Sequence, residues 1–288
     1  MNKFLLVFIF CVLTSFSGFA ADYYWVDGSG NWRDINHWRT SSGGTAMPGV
    51  VPGPTDNVFF DANSGFTASS KTVTIDVAAN CHNITFSGLT VPPTVTSGSA
   101  NHLNIHGSSV WQAGMTISTS QINYQNTGSP KTITSNGVSS GRMVYVLETS
   151  SVSLMDDFKI TSSIYFNAGT FNTNNHNMDI GGYFYGDQGT APRTLNLGSS
   201  DIYIRSYYMY MNSTLLTLNA GTSTVHFVDS NIAYLHSAKG QTYYNVFFEN
   251  PTSTLSSIQA GGGTAADNVK FNRVEYKGDG SIYGYNTF

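Results

Sequence analysis

Charged residues are scarce in this sequence, at 10% of its 288 positions. The 13 Lys and Arg residues are outnumbered by 17 Asp and Glu residues, which gives a formal net charge of −4 at pH 7. Nucleic acids and anionic lipid surfaces attract basic proteins, because that attraction is electrostatic. We therefore expect no nucleic-acid partner.

Cysteine is nearly absent, since only Cys11 and Cys81 occur. Cys11 lies in an N-terminal apolar run that we expect to be removed, so the mature chain keeps a single cysteine and no internal disulfide. A secreted chain without disulfides is held together by buried apolar surface and hydrogen bonds. We expect Cys81 to be a small apolar core residue, with a reactive or intermolecular thiol as the alternative.

Long apolar runs are missing everywhere except at the N-terminus. There Lys3 precedes an apolar run over residues 4–16, and small residues follow at Gly18 and Ala20. This order is typical of a cleaved secretory signal peptide, which we assign to residues 1–20. The remaining sequence has no apolar stretch of the roughly 20 residues that a membrane span requires. We expect a protein that is secreted or attached to the cell surface and does not span a membrane.

Sequence motifs for catalysis are also missing. There is no Gly-x-Ser-x-Gly elbow and no phosphate-binding glycine loop. The adjacent pair Asp156 and Asp157 would point to opposite faces of a strand, so we interpret it as a solvated turn. His102 and His106 lie in an alternating pattern that separates them by about 13 Å along a strand, which is too far for one metal ion. We predict no catalytic residue.

A repeat is the strongest positive signal. Residues 194–204 read Thr-Leu-Asn-Leu-Gly-Ser-Ser-Asp-Ile-Tyr-Ile, and residues 217–227 read Thr-Leu-Asn-Ala-Gly-Thr-Ser-Thr-Val-His-Phe, 23 positions later. Each copy is an alternating run, a glycine corner and a second alternating run, which indicates strand, turn and strand. A unit of this length buries its apolar face by stacking on its neighbours.

Turn chemistry separates a parallel solenoid from a sandwich. Asn-Gly and Asp-Gly hairpin signals are few, whereas Gly-Ser and Gly-Thr corners recur. Abundant Ser, Thr and Asn disfavour helices, and an aromatic content of 14% disfavours disorder. We predict an all-β, right-handed parallel β-helix (solenoid) with its repeat domain over residues 71–288. At about 22 to 25 residues per turn, the roughly 268 residues that follow the signal peptide would make roughly 11 turns.

Tryptophans cluster ahead of the repeats. Trp25, Trp32 and Trp38 fall within 14 residues. A solenoid needs its open end covered, so we predict that residues 21–70 form an aromatic N-terminal cap segment. A platform on which sugars stack is the alternative interpretation, and we therefore keep these three tryptophans as candidate binding residues.

Oxygen-bearing side chains near the tryptophans suggest a structural calcium site, although the signal is weak. The donors would be Asp27, Ser29, Asn31 and Asp34. A helix-loop-helix calcium loop needs a carboxylate eleven positions after the first ligand, where this chain has Trp38. Asx turns account for the same residues, and we expect no cofactor.

Tyrosine-rich alternating runs occur in the later coils, at residues 164–166, 183–185, 202–204 and 207–211. Alternation places every second side chain outside, so stacked coils would carry a stripe of tyrosines. Tyrosines can stack on sugar rings while Asn, Ser and Thr supply hydrogen bonds. Tyr207, Tyr208 and Tyr210 are the candidate binding residues of this stripe.

Several phrases resemble a known group of proteins. They are Trp25-Val-Asp-Gly-Ser-Gly-Asn-Trp32, His37-Trp38, Asp56-Asn-Val-Phe-Phe-Asp61, Asn167-Ala-Gly-Thr-Phe-Asn-Thr173 and Asn219-Ala-Gly-Thr-Ser223. They are similar to the opening segment and repeats of very large surface proteins of Bacteroidetes. The resemblance implies a secreted, repeat-rich, adhesin-like protein exported by the type nine secretion machinery. That group's C-terminal sorting domain is missing here, so we expect an N-terminal portion that is truncated at its C-terminus.

These observations favour a structural or adhesive function at the cell surface. We expect the aromatic, hydroxyl-rich face to contact glycans or other cell-surface components. The alternative is a polysaccharide lyase or glycoside hydrolase, because such enzymes also use β-helical scaffolds.

Overall fold

The computed structural model describes residues 20–98, 100–125, 127–141, 143–147, 149–261, 268–284 and 286–288. The predicted signal peptide lies outside these ranges except for its last residue. The described chain is all-β, with one short 3-10 helix at Ile35–His37. Within these ranges, no helix has the length and apolar character needed to cross a membrane.

Short strands follow one another along the whole described chain. They are β1 (Asp22–Trp25), β2 (Gly30–Asn31), β3 (Trp38–Arg39), β4 (Asn57–Phe60), β5 (Thr72–Ile75), β6 (Ala79–Cys81), β7 (Ile84–Phe86), β8 (Thr94–Ser97), β9 (Leu103–Ile105), β10 (Ser109–Val110), β11 (Thr116–Ser118), β12 (Gln121–Tyr124), β13 (Lys131–Thr134), β14 (Met143–Val146), β15 (Ser151–Leu154), β16 (Phe158–Ile160), β17 (Ile164–Phe166), β18 (Gly169–Asn172), β19 (Met178–Ile180), β20 (Phe184–Tyr185), β21 (Arg193–Asn196), β22 (Asp201–Ile204), β23 (Tyr208–Met211), β24 (Leu216–Asn219), β25 (Thr224–Phe227), β26 (Ile232–Ser237), β27 (Thr242–Phe248), β28 (Leu255–Ala260), β29 (Val269–Tyr276), β30 (Gly280–Tyr283) and β31 (Asn286–Thr287).

The strands stack into three faces. Face A contains β1, β4, β7, β10, β13, β15, β18, β21 and β24, with β3 at its outer edge. Face B has a four-stranded part (β2, β5, β8, β11) and a seven-stranded part (β16, β19, β22, β25, β27, β29, β31), and bridges from Ser140 join the two parts. Face C contains β6, β9, β12, β14, β17, β20, β23, β26, β28 and β30.

The predicted parallel solenoid is confirmed. Among the described strands, neighbours in each face run parallel, apart from the antiparallel pair of β1 and β3. The solenoid has about nine turns, fewer than the roughly 11 expected. One reason is that the chain takes 35 residues to pass from Asp22 to its neighbour Asn57. This is longer than the turns of the repeat region.

The repeat shift of 23 residues equals the register of the stacked strands. Thr194 pairs with Thr217 on face A, and Ile202 pairs with Val225 on face B. The corners stack as well, because Thr222 N donates to Gly198 O at 2.7 Å. Gly221 has a φ of 59°, and a Cβ there would lie 2.2 Å from Gly198 O. Glycine is therefore required at this repeated corner.

Apolar side chains fill the interior of the solenoid. Alternation sends one set of each strand inward, and on face C these residues pair from turn to turn. One inner column of face C consists of Leu103, Ile122, Val144, Ile164, Phe184, Met209, Leu235 and Ile258, all buried. Burying each such side chain contributes about 1.5–3 kcal/mol. Cys81 lies in the neighbouring inner column beside Ile105 and is buried, so its assignment to the core is confirmed.

The tryptophans close the N-terminal end of this interior. Trp25 and Trp38 pack edge to face at 4.9 Å, and Trp32 and Trp38 do so at 5.0 Å. Trp25 Nε1 donates to Gly28 O at 2.7 Å, and Trp38 Nε1 donates to Trp32 O at 2.8 Å. Strand β3 covers the edge of β1. The aromatic cap is confirmed, although the ladders of faces A and B already begin inside residues 21–70.

Among the described strands, face A ends before the other two faces. Its last strand is β24, whereas faces B and C continue through β27 to β31. Strands β27 and β29 have seven and eight residues, twice the length of most earlier ones. The last described turns therefore consist of two long-stranded sheets.

Candidate functional site

Tyrosines form a column on the outer side of face C. Strands β14, β17, β20 and β23 each contribute one outward tyrosine to this column, and these residues are neighbours in register. The ring centroids of Tyr145 and Tyr165 lie 4.4 Å apart, those of Tyr165 and Tyr185 4.7 Å, and those of Tyr185 and Tyr210 5.1 Å. The planes differ by at most 19°. We call these four residues the tyrosine ladder.

A second, shorter column lies beside the ladder. Tyr208 and Tyr234 are in register and stack at 5.0 Å. Tyr183 and Tyr207 flank them, and Tyr183 Oη donates to Tyr207 Oη at 2.6 Å. The predicted residues Tyr207, Tyr208 and Tyr210 are thus brought together on one surface.

Stacking between the tyrosines covers ring faces that a ligand could otherwise contact. Tyr210 lies between Tyr185 at 5.1 Å and His236 at 4.6 Å, so both faces of its ring are covered. Ladder tyrosines therefore present ring edges and hydroxyl groups to solvent. Sugar rings stack on exposed aromatic faces, so the expected stacking on Tyr210 is not available.

The pKa values of Tyr183 and Tyr210 are raised, so these two phenols remain neutral at physiological pH. Burial is the largest cause that raises the pKa of Tyr210, and the neighbouring Tyr208 adds to it. The hydrogen bond to Tyr207 raises the pKa of Tyr183 to about 12. Neutral phenols can donate as well as accept hydrogen bonds.

Two grooves border Tyr234. The first encloses about 320 Å³ between Tyr207, Tyr208, Asn231 and Tyr234. The second encloses about 430 Å³ and is lined by Tyr234, Leu255, Ser257, Gln259, Ala260, Tyr283 and Gly284. Both volumes lie in the range of small-molecule sites.

The three tryptophans do not belong to an exposed surface. Trp25, Trp32 and Trp38 have relative exposures of 0%, 1% and 0%. Their faces are covered by one another and by Phe60, and Trp25 also stacks on His37 at 4.6 Å. In this structure the three rings therefore offer no exposed face on which a sugar ring could stack.

The residues considered for calcium make contacts within the protein. Asp34 accepts hydrogen bonds from Asn36 N at 3.0 Å and Asn36 Nδ2 at 2.8 Å, which is an Asx turn at the start of the 3-10 helix. Ser29 Oγ accepts from Thr72 N at 2.9 Å. In the part of the chain that the structure describes, no group of three or more His, Cys, Asp or Glu side chains is arranged to hold a metal ion.

The carboxylate pair considered for catalysis joins neighbouring turns. Asp156 accepts from Ser135 N at 2.7 Å and also from Asn136 N. Asp157 accepts from Asn177 N at 2.8 Å. The two side chains thus bind backbone amides of the preceding and the following turn, which is a structural role at a corner.

A polar cluster on face B was missed by the sequence analysis. His226 lies between Asp201, at 3.2 Å from Nε2, and Glu249, which contacts Nδ1 at 2.5 Å. These residues come from three successive turns and meet through the register of β22, β25 and β27. The spacing of 23 to 25 residues was the available signal, but only a known register turns it into proximity.

Face B also carries a depression of about 340 Å³ near the junction of its two parts. Lys159, Asp179, Tyr203 and Arg205 line it. Arg205 pairs with Asp179 at 2.5 Å and with Asp229 at 2.8 Å, and Lys159 lies 3.8 Å from Asp179. Its charges are thus paired with one another.

Comparison of this chain with protein-family models, curated proteins and solved structures finds no match. The candidate site is therefore defined by geometry. Its tyrosine ladder was anticipated as an outward stripe, but Tyr145 and Tyr234 were not identified. Their places depend on turn lengths that the sequence pattern does not reveal.

Proposed function

We propose that this protein is a secreted, cell-surface structural or adhesive β-solenoid that contacts glycans through face C. The observation that carries the proposal is the alignment of tyrosines from successive turns on one outer surface. Alignment concentrates neutral hydroxyl groups and ring edges, which suit a polyhydroxylated ligand.

The low content of charged residues supports a neutral or weakly polar partner. Only 10% of the residues are charged, and the net charge is −4. The two grooves beside the tyrosines have walls that combine aromatic rings with Ser, Asn and Gln. Such walls resemble ligand sites in which apolar surface is joined by a few polar groups.

The proposal that the protein is exported from the cell rests on its sequence. Residues 1–20 have the features of a signal peptide, and the phrases around Trp25 and Asn219 resemble secreted surface proteins. The proposed route is the type nine secretion machinery that such proteins use.

A glycan array with the purified mature chain tests the proposal. We expect binding to a subset of neutral glycans, and we expect it to weaken in Tyr185→Ala. The matched control is Thr194→Ala, which alters an outward residue of face A and should bind as the unmodified chain does. Absence of binding across the array and in cell-adhesion assays would refute the adhesive function. Shortening of a bound polysaccharide by the chain would instead favour the enzymatic alternative.

A further inference from the structure

The second tyrosine column stops at a small residue. In register on face C, Tyr208 is followed by Tyr234, then by Ser257 and Ser281. Tyr208 covers one face of the Tyr234 ring at 5.0 Å. On the next strand its neighbour in register is Ser257, and among the described residues no second ring stacks on Tyr234 from that side. Tyr234 thus differs from the stacked members of the ladder.

A notch lies on this uncovered side. We call the groove of about 430 Å³ that is lined by Tyr234, Leu255, Ser257, Gln259, Ala260, Tyr283 and Gly284 the Tyr234 notch. Tyr283, one of these lining residues, is 56% exposed. None of these described lining residues carries a charge, so the notch suits a neutral ligand better than an acidic or basic one.

The floor of the notch has an unsatisfied polar group. Ser257 has a relative exposure of 0%, and its Oγ has no hydrogen-bond partner among the described residues. A buried hydroxyl without a partner costs free energy. A ligand hydroxyl that reaches the floor would remove this cost. Gln259 is exposed at the rim and can both donate and accept a hydrogen bond.

We propose that the Tyr234 notch binds a neutral pyranose ring of a glycan. The proposal rests on the proposed function and places its ligand at one site. The apolar face of the sugar packs on the uncovered face of Tyr234, while its hydroxyls bond to Ser257 and Gln259. A purely apolar ring would pack on Tyr234 but leave the Ser257 hydroxyl without a partner.

The test uses titration calorimetry with the mature chain and the neutral oligosaccharide that binds best in a panel of glucose, galactose, mannose and N-acetylglucosamine oligomers. We expect Tyr234→Ala to weaken binding by at least about tenfold and Gln259→Ala by about threefold. Tyr234→Phe keeps the ring and should stay within about twofold of the unmodified chain. Thr194→Ala, at an outward position of face A, is the control and should also stay within about twofold.

The outcomes separate this site from the general proposal. If the unmodified chain binds no glycan of the panel, the proposed function and the notch both fail. If it binds but Tyr234→Ala and Gln259→Ala bind equally well, the notch is refuted while the glycan-binding function stands. A larger loss in Tyr185→Ala than in Tyr234→Ala would place the ligand along the ladder and refute the notch. Preferred binding of uronate oligosaccharides would contradict a neutral ligand.

Circular dichroism identifies variants that fail to fold. If Tyr234→Ala is unfolded, Gln259→Ala, at an exposed position, decides the test.

Discussion

The first and the later turns of face C carry different outward side chains at the same position in register. The early turns have Asn80, Asn104 and Asn123, and the column then continues with Tyr145. Asn123 Nδ2 donates to Asn104 Oδ1 at 2.8 Å, so the amides bond to one another. The later tyrosine rings stack on one another instead.

This difference shows that the inner positions of face C require apolar side chains, whereas its outer positions accept different polar ones. The inner column of face C is apolar in both regions, from Leu103 through Phe184 to Ile258. The outer position accepts an amide or a phenol, because both can stack at the strand spacing of about 4.8 Å. Amides satisfy one another, whereas phenols keep hydroxyl groups for a ligand. The surface that we propose for binding thus lies in the later turns.

Inner substitutions should have the largest effect, and in both regions. Phe184→Ala removes a fully buried ring from the later turns, and we expect the free energy of unfolding to fall by about 3–5 kcal/mol. Leu103→Ala, in the early turns, should lower it by about 2–5 kcal/mol. Urea denaturation measures both values. If one of the two variants kept the free energy of unfolding of the unmodified chain, the claim that both regions have the same kind of apolar interior would be contradicted.

An outer substitution in the ladder should have a smaller effect. Tyr185→Ala removes stacking on Tyr165 and Tyr210, and each aromatic pair contributes about 0.5–1.5 kcal/mol beyond its buried area. We expect a loss of about 1–3 kcal/mol in urea denaturation. Tyr185→Phe preserves the ring and is the matched control. A loss in the Phe variant as large as in the Ala variant would mean that stacking is not the stabilising contact.

Early outer positions should matter less than the ladder. Asn104 Oδ1 accepts from Asn123 Nδ2 at 2.8 Å and from Gln125 Nε2 at 3.0 Å. We expect Asn104→Ala to cost about 1 kcal/mol, because the freed donors can turn to water. On face A, Asn219 Nδ2 donates to Asn196 Oδ1 at 2.7 Å at an exposed position. We expect Asn219→Ala to cost less than Asn104→Ala. Equal denaturation midpoints for Asn104→Ala and the unmodified chain would contradict a stabilising amide ladder.

The smallest effect that we expect is a loss of folding stability at alkaline pH. The pKa of Tyr183 is raised from 10.0 to about 12 in the folded chain, first by its hydrogen bond to Tyr207 and then by burial. The unfolded chain thus loses this proton first, so the stability that Tyr183 contributes is complete below pH 10 and is lost as the pH rises toward about 12. Thermal unfolding across this range, with Tyr183→Phe as comparison, should show a shallower decline in the variant. Identical declines would contradict the role of this hydrogen bond.

The sequence predicted the fold well wherever the repeat was regular. The phrase beginning at Thr194 recurs at Thr217, and these residues are true neighbours on face A. Burial of Cys81 and the cap also followed from composition and end protection. Alternation likewise predicted that tyrosines would lie outside.

The candidate site was less predictable because the turns differ in length. Val152 pairs with Phe171, 19 positions later, whereas Val58 pairs with Ile84, 26 positions later. Without these lengths, neither the alignment of Tyr145 with Asn123 nor that of Tyr234 with Ser257 can be derived. The covered ring faces of the ladder likewise follow from register and not from alternation.

Register on face C is tested most directly by pyrene excimer fluorescence from a pair of introduced cysteines. Tyr165→Cys combined with Tyr185→Cys places two pyrene labels on adjacent strands in register, and we expect strong excimer emission. Tyr165→Cys combined with Thr194→Cys places the labels on faces C and A and should show little. Cys81 is buried and is not expected to react. Weak excimer emission from the first pair, or equal emission from the two, would contradict the stacking of tyrosines from successive turns.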